Sequence, residues 1–122
     1  MINSRAVLIA SIVGIVLQVA MVLAGHSNPS VAAMFAVGGM SISLIAGIIY
    51  GYLVKGPRVL SGLIAGGATA GGLCAFVGIL VSHLMGDVPA SLLLLGTISS
   101  IVTGAIGGAI GKAFGGSTAR TS

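Results

Sequence analysis

Two histidines and the only acidic residue are the side chains best suited to bind a metal ion. His26 and His83 each end a long apolar stretch, and Asp87 follows His83 by one helical turn. Imidazole and carboxylate groups are both ligands for transition metals. Both histidines also suit a helix C-terminus, where the helix dipole stabilises a partly cationic ring. Three ligands do not close a site, so we expect neither a metal nor a cofactor, and these three residues are the candidate ligands if one binds.

A second group of polar residues lies inside the apolar stretches and is the candidate for a polar path. It consists of Gln18, Ser43, Ser100 and Thr103. Polar groups within a membrane often mark the route of a transported solute. A single amide can instead hydrogen-bond across helices, and Ser or Thr can bond to a carbonyl one turn earlier. We expect the structural role and keep the polar path as the alternative.

The sequence contains no set of residues arranged for covalent or acid–base catalysis. Asp87 is the only acidic residue and lies in a turn, so no Ser-His-Asp arrangement is predicted. The glycine-rich segment 62–72 lacks the Gly-Lys-Ser/Thr signature of a phosphate-binding loop. Cys74, the one cysteine, lies in an apolar stretch and is expected to be a small packing residue. We therefore predict that the protein is not an enzyme.

The composition is typical of a chain surrounded by lipid. Of 122 residues, 57% are hydrophobic and 5% are charged, whereas soluble domains carry about 25% charged residues. The net charge of +4 comes from five Lys and Arg residues scattered at the ends of apolar stretches, not from a basic patch. Nucleic acid is therefore excluded as a partner, and the lipid bilayer is expected.

Four apolar stretches are each long enough for a membrane-spanning helix, which needs about 20 residues. Turn-forming residues, such as Asn28-Pro29 and Gly56-Pro57, separate them. The sequence predicts an all-α integral membrane protein with four transmembrane helices in a single domain, 1–122. The spans are expected at approximately 6–25, 31–54, 59–85 and 90–114.

The basic residues all fall on one side of such a protein. They are Arg5, Lys55, Arg58, Lys112 and Arg120. Loops and termini with an excess of Lys and Arg remain in the cytoplasm. We therefore expect a protein of the cell (cytoplasmic or inner) membrane with both termini in the cytoplasm.

Small residues recur at every fourth position in the second and fourth stretches, which places each series on one helix face. The first series is Gly39, Ser43, Gly47 and Gly51, followed by Lys55. The second is Gly96, Ser100, Gly104 and Gly108, followed by Lys112. A further series on the fourth stretch is Gly107, Gly111 and Gly115. Faces without side chains let helices in lipid approach backbone to backbone, so we predict that these residues pack helices together in a glycine zipper.

The two main series belong to an internal similarity. A shift of 57 residues places 23–55 on 80–112 with ten identities in 33 positions, against about three expected for this composition. We expect two tandem, parallel-related helical hairpins, approximately 1–56 and 58–114, in a Gly-rich bundle.

The glycine faces are more numerous than one four-helix bundle requires, which predicts contacts beyond the monomer. We expect a homo-oligomer or a subunit of a larger membrane complex, with the function of an accessory or scaffold subunit. The alternative is a small oligomeric channel or transporter with a Ser/Thr-lined path. A holin-like pore former is the second alternative, because the chain is small and has a basic tail.

Overall fold

The chain folds into helices joined by short connections. A computed structural model of the protein describes residues 4–54 and 60–121, and the side chains of all of these except 32, 36 and 112–121. The helices are α1 (Ser4–Ser27), α2 (Pro29–Ala32), α3 (Phe35–Leu53), α4 (Leu60–Leu84) and α5 (Ala90–Thr121). No strand occurs in the described residues, and the predicted all-α class is confirmed.

The second predicted span, 31–54, is divided in the structure. Asn28 caps the single turn α2, which has proline at its first position, and accepts a hydrogen bond from Ser30 N–H at 3.0 Å. The chain leaves the helix at 33–34, and α3 begins at Phe35. Asn28 and Pro29, which the sequence suggests as the start of the second span, therefore start only the single turn α2. The 19 residues of α3 extend about 28 Å, close to the hydrocarbon thickness of about 30 Å.

Of the other three predicted spans, two match helices of nearly the same bounds and one matches a longer helix. α1 and α4 begin and end within two residues of 6–25 and 59–85. α5 continues past 114, and the segment that follows contains no proline that would interrupt its backbone hydrogen bonds. α1, α4 and the 90–111 part of α5 are long and apolar enough to cross a membrane, and the apolar part of α3 is shorter.

The four longer helices alternate in direction, so α1 runs parallel to α4 and α3 runs parallel to α5. α5 packs against α3 and α4, and α1 packs against the same two helices. α3 and α4 also contact each other, while α1 and α5 share no extended contact within the described residues. α3 and α4 thus form the middle of the bundle, with α1 and α5 on either side.

The interior is built mainly from small side chains. Ala46, Ala70 and Cys74 are fully buried between the helices. Tyr50 is the largest of the fully buried side chains, and its ring occupies the space that a Cβ on Gly66 would need. Glycine and alanine therefore allow one aromatic ring to enter the core while the helices remain close.

Bulky apolar side chains cover the outside of the bundle. Each long helix carries some that are more than half exposed, including Leu8 on α1, Val37 on α3, Leu84 on α4 and Leu94 on α5. An apolar surface on every side of a protein marks contact with lipid or with other protein.

A short turn connects α4 to α5. Gly86 has a φ of 81°, a left-handed conformation that glycine adopts without strain. Its N–H donates to His83 O at 2.9 Å, and Asp87 N–H donates to Ser82 O at 3.0 Å. These two bonds satisfy carbonyls at the end of α4 and form a Schellman motif. The turn reverses the chain so that α5 returns alongside α4.

Few of the predicted membrane-orienting charges lie in the described part of the structure. Arg5 is exposed at the start of α1. Lys55 and Arg58 lie outside the described residues, and Lys112 and Arg120 lie in the part of α5 whose side chains are not described. The end of the bundle opposite Arg5 carries His26, His83 and Asp87.

Candidate functional site

The glycines of α5 bring its backbone against that of α4. A Cβ on Gly104 would overlap Gly67 O and would lie 2.9 Å from Gly71 Cα. A Cβ on Gly108 would overlap Leu63 O. A backbone atom cannot rotate out of the way as the end of a side chain can. Any larger residue at these positions would therefore push α4 and α5 apart.

A second face of α5 lies against α3. A Cβ on Gly107 would overlap Leu44 O, and a Cβ on Gly111 would lie 2.8 Å from Gly51 Cα. α5 thus uses one glycine face against α4 and an adjacent one against α3. Both of its smooth faces are occupied within a single chain.

The glycines of α3 make the same contacts from the other side. A Cβ on Gly47 would overlap Gly104 O, and a Cβ on Gly51 would lie 2.8 Å from Gly108 O. Gly115 belongs to α5, but its surroundings lie outside the described side chains. Among the described side chains, Gly47, Gly51, Gly104, Gly107, Gly108 and Gly111 therefore all face another helix of the same chain. Contacts beyond the monomer stay a prediction.

The first members of the two series have a different environment. Gly39 and Gly96, together with Ser100, line a cavity of about 190 Å³, which we call the α3/α5 cavity. A Cβ on Gly39 would lie 3.6 Å from Gln18 Oε1, and a Cβ on Gly96 would lie 2.5 Å from Ile79 Cδ1. Side chains of α1 and α4, instead of backbone, face these two glycines. The helices are consequently too far apart here to close the space.

The α3/α5 cavity lies in the half of the bundle that contains the α4–α5 turn. Its wall is mainly apolar, and helices α1, α3, α4 and α5 all contribute to it. The polar residues in the wall are Gln18, Ser82, Ser99 and Ser100. A mostly apolar pocket with a few polar groups is the usual form of a site for a small molecule.

Gln18 holds three helices together beside this cavity. It is 2% exposed, and its Nε2 group donates to Gly39 O at 3.1 Å. Nε2 also lies 3.5 Å from Ser43 Oγ and 3.8 Å from Cys74 Sγ. The carbonyl of Gly39 can only accept, so the amide is oriented with Nε2 towards it and Oε1 away. The structural role that we expected for this amide is consistent with these contacts between α1, α3 and α4.

Ser43 and Cys74 complete a buried polar cluster with Gln18. Ser43 Oγ donates to Gly71 O at 3.3 Å, and Cys74 Sγ donates to the same oxygen at 3.2 Å. Ser43 and Cys74 are both fully buried. These hydrogen bonds join the three residues into one cluster, and Gln18 is the member of it that also lines the α3/α5 cavity. Cys74 therefore has a hydrogen-bonding role in addition to the packing role predicted from the sequence.

The four residues of the candidate polar path are only partly brought together. Gln18 and Ser43 are in contact, and Ser100 lines the cavity with Gln18. Thr103 lies one turn beyond Ser100 on α5, and its hydroxyl donates to the carbonyls of Ser99 and Ser100, both at 3.2 Å. Thr103 thus donates to carbonyls of its own helix, which is the structural role that Ser and Thr residues often have in membrane helices.

The candidate metal ligands make hydrogen bonds at the opposite end from Arg5. His26 Nδ1 lies 2.8 Å from Asp87 Oδ2, which links α1 to the α4–α5 turn. His83 Nδ1–H donates to Val88 O at 2.8 Å. Within residues 4–54 and 60–111, no group of three or more His, Cys, Asp or Glu side chains is placed to hold a metal.

Sequence reasoning did not identify the cavity or Ser82, which lies in its wall. Ser82 is 1% exposed, and its hydroxyl has no hydrogen-bond partner among the described residues. The sequence does show that Gly39 and Gly96 belong to regular series of small residues. It does not show which residues of the other helices face these two glycines. The position of Ile79 and Met21 opposite these glycines depends on the packing of all four helices.

Comparison of the chain with protein-family models, with curated proteins and with solved structures found no match.

Proposed function

We propose that the chain is a polytopic integral membrane protein whose four long helices cross the bilayer. The observation that carries this proposal is the apolar outer surface, with bulky side chains exposed on every long helix. α3 is the shortest, and its length of about 28 Å matches the hydrocarbon core with little tilt. Alkaline carbonate extraction of native membranes tests insertion. The protein should stay in the pellet, and its release into the supernatant would contradict the proposal.

We propose that both termini face the cytoplasm of a cell bounded by this membrane. The support is the sequence asymmetry, since every Lys and Arg belongs to a terminus, connection or span end that the sequence predicts on one side of the membrane. A reporter that is active only in the cytoplasm should be active when fused to either terminus, and a reporter that is active only outside the cytoplasm should be inactive. A periplasmic or external reporter that is active at either end would contradict this orientation.

We propose that the two hairpins, approximately 1–56 and 58–114, are a tandem repeat. Helix α1 shifted by 57 residues covers 61–84, and α4 spans Leu60–Leu84. Gly47 and its shifted counterpart Gly104 are also in contact. The two hairpins expressed as separate chains, 1–56 and 58–122, should therefore associate and co-purify. Failure of both folded hairpins to associate would contradict their treatment as two like units.

For the cellular role, we propose a non-enzymatic accessory or scaffold subunit of a larger membrane complex. The close packing at the centre of the molecule supports this role, because α3, α4 and α5 meet backbone to backbone there. The glycine faces are occupied within the chain, so the proposed partner contacts the bulky apolar exterior. Leu94, Ile98 and Val102 form such an exposed strip on α5 at intervals of four residues.

Purification from the native membrane in mild detergent tests the accessory role. We expect larger, different subunits to co-purify with the chain in a fixed ratio. Replacing the α5 strip by alanine at Leu94, Ile98 and Val102 should release them, whereas alanine at Leu8, Ile12 and Val16 on α1 serves as the matched control. A protein recovered alone or as a homo-oligomer would contradict the accessory role.

The second candidate is a small oligomeric channel or transporter, and the α3/α5 cavity is the observation that favours it. Ser100 lines that cavity, whereas Ser43 is enclosed by Gln18 and Cys74. In a Cys74→Ala background, a water-filled path would make Ser43→Cys and Ser100→Cys react with a membrane-impermeant thiol reagent. The accessory role predicts that both remain unreactive.

A further inference from the structure

The α3/α5 cavity has the size of a binding site for a small molecule. Its volume is about 190 Å³, and an apolar cavity of about 150 Å³ in another protein binds benzene. A ligand with roughly six to ten non-hydrogen atoms is the largest that a cavity of this volume encloses. The cavity is therefore too small for a whole lipid.

The wall of the cavity selects against charge. None of its lining residues carries a charged side chain. His26 and Asp87 contact each other at the exposed end of the bundle, and neither residue lines the cavity. A charged ligand would lose its hydration in the cavity without gaining a partner, which costs several kcal/mol. The site therefore suits an uncharged molecule.

One buried polar atom beside the cavity is left without a partner among the described residues. Ser82 Oγ is buried and makes no hydrogen bond within the described part of the chain. The hydrogen bonds of Gln18 to Gly39, Ser43 and Cys74 are made by Nε2, so Oε1 is a hydrogen-bond acceptor that these three bonds do not use. An unsatisfied buried polar group costs about 1–3 kcal/mol, and a bound hydroxyl group, which both donates and accepts, would relieve this cost.

The cavity also reaches the outer surface between α3 and α5. Met40 and Leu95 line it and are 41% and 62% exposed. In the bilayer this side faces the lipid, so a molecule dissolved in the membrane could reach the cavity laterally. We infer that the α3/α5 cavity binds a small, uncharged, mainly apolar molecule that carries one hydroxyl group, held by Gln18 and Ser82. Only the lateral access rests on the membrane insertion proposed above.

Photolabelling of the full-length protein in phosphatidylcholine nanodiscs tests this inference. The probe is pentanol with a diazirine on its chain, and mass spectrometry locates the labelled residues. We expect adducts on the cavity residues of α3 and α5 that decrease when unmodified pentanol competes. A diazirine alkane of the same length without the hydroxyl should label these residues about fivefold less, the effect of one hydrogen bond.

Three variants separate binding from folding. Ser82→Leu fills the cavity and should lower cavity labelling at least about tenfold, while Ser82→Ala removes only the hydroxyl and should lower it about fivefold. Ser91→Leu, an exposed α5 position outside the cavity, should leave it unchanged. Three results would overturn the inference. They are labelling spread over all exposed residues, labelling that pentanol does not displace, and equal labelling by the alkane probe.

The nanodisc experiment also distinguishes this inference from the proposal of membrane insertion. Integration into nanodiscs is measured before labelling. A chain that does not integrate contradicts the membrane proposal, whereas an integrated chain without saturable labelling of the cavity contradicts the binding site.

Discussion

The two ends of the same small-residue series behave differently. At Gly47 and Gly104, backbone meets backbone, because a Cβ on either residue would overlap a carbonyl of the neighbouring helix. At Gly39 and Gly96, the nearest atoms belong to side chains, and the helices leave the α3/α5 cavity between them. The spacing along the chain is the same in both regions. The difference lies in the neighbouring helix, which places backbone atoms against the glycine in one region and a side chain in the other.

For α5, the facing helix α4 explains this difference, whereas Gly39 on α3 faces side chains of α1. Helix α4 presents Gly67 and Gly71 to α5 in the glycine-packed half and Ile79 in the cavity half. A glycine on one helix permits close approach only if the partner also lacks a side chain at that level. Regular small-residue spacing is therefore a requirement for tight packing, and the residue on the partner decides whether the packing occurs.

The largest effect is expected for a large side chain in the glycine-packed half. Gly104→Leu would force an isobutyl group into the backbone of α4 at Gly67 and should lower the free energy of unfolding by at least about 3 kcal/mol. Titration with SDS in mixed micelles, followed by circular dichroism, measures this quantity. The control is Ile106→Leu at a half-exposed position of the same helix, where we expect a change below about 0.5 kcal/mol. Equal stability of the two variants would contradict the claim that Gly104 is in backbone contact with α4.

A moderate effect is expected at the boundary between the two regions. Gln18→Leu removes the hydrogen bond to Gly39 O and the contacts with Ser43 and Cys74. It should lower the free energy of unfolding by about 1 kcal/mol, in the range measured for hydrogen bonds between membrane helices. Leu17→Ile, at the adjacent and more exposed position, is the control for the same measurement. A variant as stable as the wild type would show that the polar cluster does not hold α1 to the bundle.

The smallest effect is expected at the far end of the cavity half. His26→Ala removes the exposed contact with Asp87, and exposed pairs of this kind contribute at most about 1 kcal/mol. Ser27→Ala, the next residue, is the control. The same SDS titration measures both variants. A loss of more than about 2 kcal/mol at His26 would mean that the α4–α5 turn depends on this pair, contrary to our account.

Length and hydrophobicity predicted the helices well, because an apolar stretch of about 20 residues bounded by turn residues leaves few alternatives. α1 and α4 follow these stretches closely. The break at 33–34 was not predicted, since no Pro or Gly occurs there to indicate it. The end of α5 was also missed, because small polar residues permit a helix without requiring one.

The candidate site was less predictable than the helices. Period-four spacing predicts that Gly104 and Gly108 share one face of α5, and in the structure both lie against α4. It could not indicate that Ile79 and Gln18 would lie against Gly96 and Gly39, since these contacts join distant parts of the chain. A cavity is set by side chains from four helices at once, and one-dimensional spacing carries no information about that arrangement.

The most direct test of the difference between the two regions is a pair of alanine substitutions on α3. In Gly47→Ala, the new Cβ overlaps Gly104 O, whereas in Gly39→Ala it lies 3.6 Å from Gln18 Oε1, an ordinary contact. In SDS titration, we predict that Gly47→Ala lowers the free energy of unfolding by about 2–3 kcal/mol, because overpacked backbones must separate. Gly39→Ala should be neutral or raise it by up to about 1 kcal/mol, since alanine favours the helix. Equal destabilisation by the two substitutions would contradict the division of the bundle into a glycine-packed half and a cavity half.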